Sequence, residues 1–199
     1  MADTGIRFDE TMSGPFALGE TQPESGAEAG KSANHSLAMH ASVTIDNLDR
    51  FIEDPAHAGG LAGRIDFSPF GDGLAADRGV FNLFSPAEEA DTRYMVYELG
   101  FQHDGKDYYL AGRKVVRDDP GFDLWSDTTT LYTTLHEGRD KTAPTVGAGV
   151  LTLGVSDLAD LVSTIRVTGT DDVAQKAKTV ASFGAFFMGE LWERYGPRT

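Results

Sequence analysis

The side chains best placed to do chemistry in this chain are Tyr94, Glu98, Tyr109 and Arg113 on a single hairpin, followed by Tyr132 and His136. Across residues 94–117 two runs rich in aromatic and branched residues flank Asp104-Gly105, a pair that tolerates the positive φ angles of a two-residue hairpin turn. With that turn, Phe101 lies opposite Tyr108, Leu99 opposite Leu110 and Tyr97 opposite Gly112, all on one face. Side chains alternate along a strand, so Tyr94, Val96, Glu98, Tyr109, Arg113 and Val115 take the other face. Glu98 then faces Ala111 and has Arg113 on the diagonal. Such a pair beside Tyr94 and Tyr109 would give an apolar cavity the few polar groups that orient a ligand. On an exposed sheet the same pair would be an ordinary ion pair, worth about 1 kcal/mol at most.

Other chemistry is thinner. Tyr97, Tyr108, Tyr109 and Tyr132, with Thr128, Thr130 and Thr134, put hydroxyls on half-buried strands, which suits a hydroxylated or carbonyl ligand and equally suits plain cross-strand packing. The five histidines, His35, His40, His57, His103 and His136, have no metal-ligand spacing, and no metal or other cofactor is expected. His136 beside Glu137 is the candidate base among them. Gly147, Gly149 and Gly154 lack the spacing of a dinucleotide loop, and no Gly-x-Ser-x-Gly elbow occurs. With no cysteine there is no disulfide, thiolate ligand or cysteine nucleophile.

The elements that must position these residues are read from periodicity. Residues 1–33 read as an N-terminal arm, with Phe8, Met12 and Phe16 to clamp it down, running into a flexible linker poor in apolar groups. From residue 35 to 45 alternation predicts a strand. A short helical turn capped by Asp46 follows, then strands over residues 60–67 and 74–84, the central hairpin, and strands over 128–137 and 145–153. After residue 154 the period changes to that of helices. A last helix capped by Thr170 or Asp171 carries Val180, Phe187, Leu191 and Trp192 at helical spacing, and must lie on the sheet or plug one mouth of a barrel. A hairpin apolar on both faces must be covered on both sides or closed around an interior. The expected fold is mainly β, an antiparallel β-barrel or strongly bent sheet of about seven to eight strands, calycin-like, with C-terminal helices. The expected organisation is an arm over 1–33, the barrel over 34–154 and helices over 155–199.

The totals narrow the partners. A length of 199 residues suffices for one domain with a real core. A net charge of −14 repels nucleic acid. No apolar run reaches a membrane span, and the first residues lack the basic and apolar parts of a secretory signal, so a cytoplasmic location is expected.

Four phrases are familiar as a set: Glu-Thr-Met-Ser-Gly-Pro-Phe at 10–16, Phe-Asn-Leu-Phe-Ser-Pro at 81–86, Asp-Pro-Gly-Phe-Asp-Leu-Trp-Ser-Asp-Thr-Thr-Thr-Leu-Tyr at 119–132, and the stretch from Phe187 to Trp192. They resemble a non-catalytic segment that accompanies the flavin domain of long bacterial oxidoreductases similar to cholesterol oxidase, of the glucose-methanol-choline type. In such chains an α/β-hydrolase-like region can follow. The flavin-binding glycine motif and the hydrolase elbow are both absent here, so neither activity carries over, and no family site residues transfer. The resemblance implies an association with sterol-like or other lipid-like substrates and with a flavin oxidoreductase partner.

The leading expectation is therefore a binding module for an apolar small molecule, held in the barrel and lined by Tyr94, Glu98, Tyr109, Arg113, Tyr132 and His136. Two alternatives stand beside it. One is a cofactor-free isomerase or cyclase in which Glu98 or His136 moves a proton inside the cavity. The other is an interaction domain whose final helix pairs with a partner protein or, as a homodimer, with another copy.

Overall fold

A computed structural model describes residues 3–89, 92–117 and 124–195. The chain runs β1 (Gly5–Leu18), α1 (Pro23–Ala33), β2 (Ser36–Ile45), α2 (Leu48–Glu53), β3 (Ala58–Phe67), β4 (Gly71–Pro86), β5 (Thr92–His103) and β6 (Lys106–Arg117). It continues through α3 (Leu124–Thr129), β7 (Thr130–Glu137), β8 (Thr145–Thr152), α4 (Val155–Thr164), β9 (Arg166–Thr168) and α5 (Val173–Tyr195). Strands β2 to β8 pair in chain order, each antiparallel to the next, and β1 bridges β8 and β2. That double pairing closes an eight-stranded barrel. Residues 6–15 of β1 pair with β2, residues 13–18 with β8, and β9 adds to β1 at residues 5–7.

The first third of the chain differs from its sequence reading. Residues 1–33 are no arm and linker: β1 is the closing strand, and the supposed linker is α1. The strand is hard to see because Phe8, Glu10 and Met12 alternate inward with a carboxylate among them. Helix α1 is short of large apolar groups because it needs contact more than bulk. A Cβ at Gly26 would stand 2.1 Å from the Ala148 carbonyl oxygen, and one at Gly30 would stand 2.4 Å from the Phe16 nitrogen. Only glycine lets this helix lie so close to the strand backbones.

The central hairpin adopts the expected register, with Phe101 on Tyr108, Leu99 on Leu110 and Tyr97 on Gly112. Asp104 and Gly105 take φ of 49° and 75°. Capping differs in detail: Asn47, not Asp46, caps α2 by accepting from the Arg50 N–H, and Asp172, not Thr170 or Asp171, accepts from the Gln175 N–H at the start of α5. Residues 128 and 129 belong to α3 rather than to the strand, and residues 118–123 before that helix lie outside the described residues.

The barrel interior is filled by its own side chains. Phe16, Phe67, Phe81, Phe101, Met12, Met39, Leu99 and Leu110 are at or near complete burial. A void large enough for a sterol would leave its walls partly exposed, and these walls are not. Eight strands make a barrel just wide enough for side chains to fill, and here they fill it. One mouth is closed by α2 and α5: Phe186 packs on Phe51 and His57, Phe187 on Phe84, and Phe183 on Phe8. Among the described residues, no helix is long and apolar enough to cross a membrane.

Candidate functional site

The hairpin places its two faces unequally. Tyr97, Leu99, Phe101, Tyr108, Leu110, Lys114 and Val116 point inward and are buried. Tyr94, Glu98, Tyr109 and Arg113 therefore lie on the outer wall, joined there by Tyr132 and His136 of the neighbouring strand, which pair with Arg113 and Tyr109. All six candidates share one patch on β5, β6 and β7, and none of them lines an interior.

Within the patch the expected Glu98–Arg113 pair does not form. Glu98 is held by Lys141, whose Nζ donates to Oε1 at 2.9 Å, and by Tyr109, whose hydroxyl donates to Oε2 at 2.5 Å. Arg113 lies over the Tyr94 ring instead, 5.2 Å from its centre. The loop between β7 and β8 carries Lys141 across the wall to the carboxylate, and a diagonal arginine cannot compete with an ammonium aimed at that oxygen. Burial, then the bond to Glu98, pushes the Tyr109 hydroxyl well above the ordinary tyrosine range. His136 has both ring nitrogens engaged: Nδ1 lies 2.9 Å from the Ala143 carbonyl and so donates, and Nε2 accepts from Thr134 at 2.9 Å. With no lone pair left for a substrate, it is poorly placed to act as a base.

A polar group that sequence reading missed sits inside the barrel. Glu10 of β1 and Lys114 of β6 form an ion pair at 2.9 Å, each side chain 2% exposed. Tyr97 donates its hydroxyl to the other Glu10 oxygen at 2.8 Å, and the Lys114 ammonium lies 4.9 Å from the Tyr97 ring centre. Burial first, then the Glu10 charge, raises the Tyr97 pKa well above its ordinary value. The signal was present as a lysine on the otherwise apolar face of the hairpin, two residues beyond Gly112.

A third cluster lines an open groove of about 400 Å³ on the outer wall of β1, β2 and β3, formed by Asp9, Thr11, His40, Ser42 and Arg64 among others. His40 Nδ1 lies 3.0 Å from the Thr11 hydroxyl and Nε2 lies 2.8 Å from Asp66. The order hydroxyl, imidazole, carboxylate is that of an activated nucleophile. Acyl transfer also needs N–H donors aimed at a developing oxyanion, whereas the backbone here is committed to antiparallel ladders on both sides of β2. The chain of bonds is accounted for as cross-strand pairing of neighbours.

The remaining unusual surface is on the C-terminal helices. Val173, Met188 and Trp192 of α5 are 80%, 62% and 67% exposed, and Val162 of α4 is 60% exposed. Val180 of α5 is 42% exposed and stands at the edge of this stripe, one heptad before the half-buried Phe187. Thr179, Phe183, Phe186 and Phe187 turn toward the barrel mouth, and Leu191, in line with Val173 five turns earlier, is buried too. The helix thus has two apolar faces, one against the barrel and one uncovered. The expected docking of the final helix holds for one face only.

No family model, curated protein or solved structure matches this chain.

Proposed function

We propose that this protein is a non-catalytic barrel that works by docking, with the outer apolar face of α5 as its contact surface. The observation that carries the reading is the run of exposed apolar groups from Val173 to Trp192 on a helix already anchored by its other side. Single exposed apolar residues are common on monomers, but a contiguous stripe marks a place where another surface sits. The resemblance to an accessory segment of flavin oxidoreductases is consistent with a protein that serves by association. The filled interior and the fully engaged His136 remove the support for proton transfer in a cavity.

The test is a stripe variant carrying Val180→Ser, Met188→Ser and Trp192→Ser, compared with the parent chain by sedimentation, alone and mixed with a flavin oxidoreductase of the cholesterol-oxidase type. Loss of association with a preserved melting temperature supports the reading. Association unchanged by all three substitutions overturns it.

A second reading, an apolar small molecule of sterol-like or lipid-like kind, is favoured by one feature. Phe183, Phe186 and Phe187 are only half-buried where they meet Phe8, Phe51 and Phe84. A ligand would then lie between α5 and the barrel mouth rather than within the barrel. Titration with a sterol panel while following the emission of Trp192 decides it, since no spectral or thermal shift with any sterol removes this reading.

A further inference from the structure

We infer that His57 and the phenylalanine rings around it form a binding site at the barrel mouth for an apolar molecule carrying one hydroxyl, and that Phe186 of α5 is the ring such a ligand displaces. The inference rests on the small-molecule reading above and adds the chemical class of the ligand and the group that recognises it. His57 is 8% exposed, and its Nδ1 lies 2.7 Å from the Leu83 carbonyl oxygen. A carbonyl can only accept, so Nδ1 carries the hydrogen and Nε2 of the neutral ring presents a lone pair. No described residue donates to that nitrogen. What stands against the imidazole is Phe186 at 4.8 Å and Phe51 at 5.7 Å between ring centres. Buried polar groups nearly always find a partner, and an acceptor left without one among apolar rings is a place where a donor is favoured.

The acceptor and the floor around it belong to the barrel and α2, not to the helix that covers them. Leu83 donates its N–H to the His57 carbonyl at 3.2 Å, and Asn82 holds the preceding residue by donating to the Ala56 carbonyl at 3.0 Å. His57 and Phe84 take φ of 42° and 54°, left-handed backbone that a residue with a side chain keeps only where its surroundings over-determine it. Both pack against Phe186, whose ring centre lies 6.4 Å from that of Phe84 and 5.8 Å from that of Phe51. Phe51 and Phe84 are 3% and 0% exposed, whereas Thr179 and Leu191 alone are buried among the described side chains of α5. The floor is therefore fixed and the cover is light. Swinging the Phe186 ring aside opens a pocket with aromatic walls and one acceptor. Those walls give an ionised ligand no opposite charge, so desolvation excludes carboxylates and phosphates, and a hydrocarbon leaves Nε2 unsatisfied. An alcohol or a phenol meets both demands.

The probes are β-naphthol and its methyl ether, which share a ring system and differ in whether the oxygen carries a hydrogen. Calorimetry on the full chain should show the naphthol binding about tenfold more tightly, the difference that one hydrogen bond makes in a buried site. In nitrogen NMR of the labelled protein, the Nε2 resonance of His57 should move with the naphthol and not with the ether. His57→Phe should bind the two probes equally. Phe186→Ala, which leaves His57 in place, should tighten both and keep the preference for the hydroxyl. Equal affinity of the parent chain for the two probes, or a preference retained in His57→Phe, overturns the assignment to His57 while the small-molecule reading stands. Binding that occurs only after Phe186→Ala also overturns it, because the cover then does not yield to a ligand. No binding of either probe by the parent or by Phe186→Ala overturns the site and the small-molecule reading together.

Discussion

Lys114 and Glu10 meet at 2.9 Å inside the barrel, joining strands that stand far apart in the chain. Tyr97 completes the arrangement from β5. Each charge is tolerated only because the other is present. Lys114→Met alone should therefore destabilise the fold by about 3–5 kcal/mol, because it leaves a buried carboxylate with a single hydroxyl donor. Joining Glu10→Leu to Lys114→Met removes both charges and should restore most of that loss. Urea unfolding of the two variants checks this. Equal destabilisation of the single and the double variant would show that the ion pair is not what makes the site sensitive.

Much of this architecture was legible from alternation and turn chemistry, and the failures have physical reasons. Asp104-Gly105 fixed a register that holds for the whole hairpin, because a two-residue turn leaves the strands no freedom to slip. The closing strand was missed because its inward row includes Glu10, and a charge on an inward row breaks the pattern that alternation relies on. The glycines of β8 made sense only with Phe16 in place: a Cβ at Gly149 would stand 2.5 Å from that ring. Which face of the hairpin is interior could not be read, since both faces carry aromatics. The sequence offered an apolar final helix for docking, but which of its residues the barrel covers could not be read, because a sequence shows an apolar helix without showing how much of it is covered.

Asp107 gathers three donors beside the hairpin turn: Arg139 at 2.7 Å, Gln102 at 2.9 Å and Arg78 at 3.3 Å. The bond from Arg139, then that from Gln102, lowers its pKa to about 2. The folded value lies below the unfolded one, so the stabilisation is present above about pH 4 and is lost as pH falls toward about 2. Asp107→Asn should lower the melting temperature at neutral pH and flatten its fall over that acid range, so that the two proteins converge at the lowest pH. Melting curves that stay parallel through the acid range would assign the acid sensitivity to other carboxylates.

Helix α1 depends on two glycines at a spacing of four. Gly26→Ala drives a methyl group onto the Ala148 carbonyl oxygen, and Gly30→Ala drives one onto the Phe16 backbone. Backbone atoms cannot swing aside as a side-chain tip can, so the gain in helix propensity should be outweighed. Each substitution should cost about 1–3 kcal/mol. Gly19, with open space beside it, follows another rule: its φ of 86° makes any side chain strained whatever the room. Thermal melts of the three alanine variants, with hydrogen exchange on α1, separate the effects. Exchange should accelerate across α1 for Gly26→Ala and Gly30→Ala and not for Gly19→Ala. Unchanged protection at Gly26→Ala would mean that the helix can lift from the barrel at little cost.

A contact made through α5 with another copy would work against the charge of the whole chain. Two molecules of net charge −14 repel each other at long range, and the stripe from Val173 to Trp192 is apolar. Raising the ionic strength from about 0.01 M to about 1 M shortens the screening length from about 30 Å to about 3 Å. The repulsion between bodies is then removed, while apolar burial is untouched or strengthened. The dissociation constant should therefore fall as salt rises, and sedimentation across a salt series reads it directly. A contact made chiefly by opposite charges would show the reverse trend, with salt dissolving the pair, and that outcome would move the interface from the Val173 to Trp192 stripe to the charged flanks of the molecule.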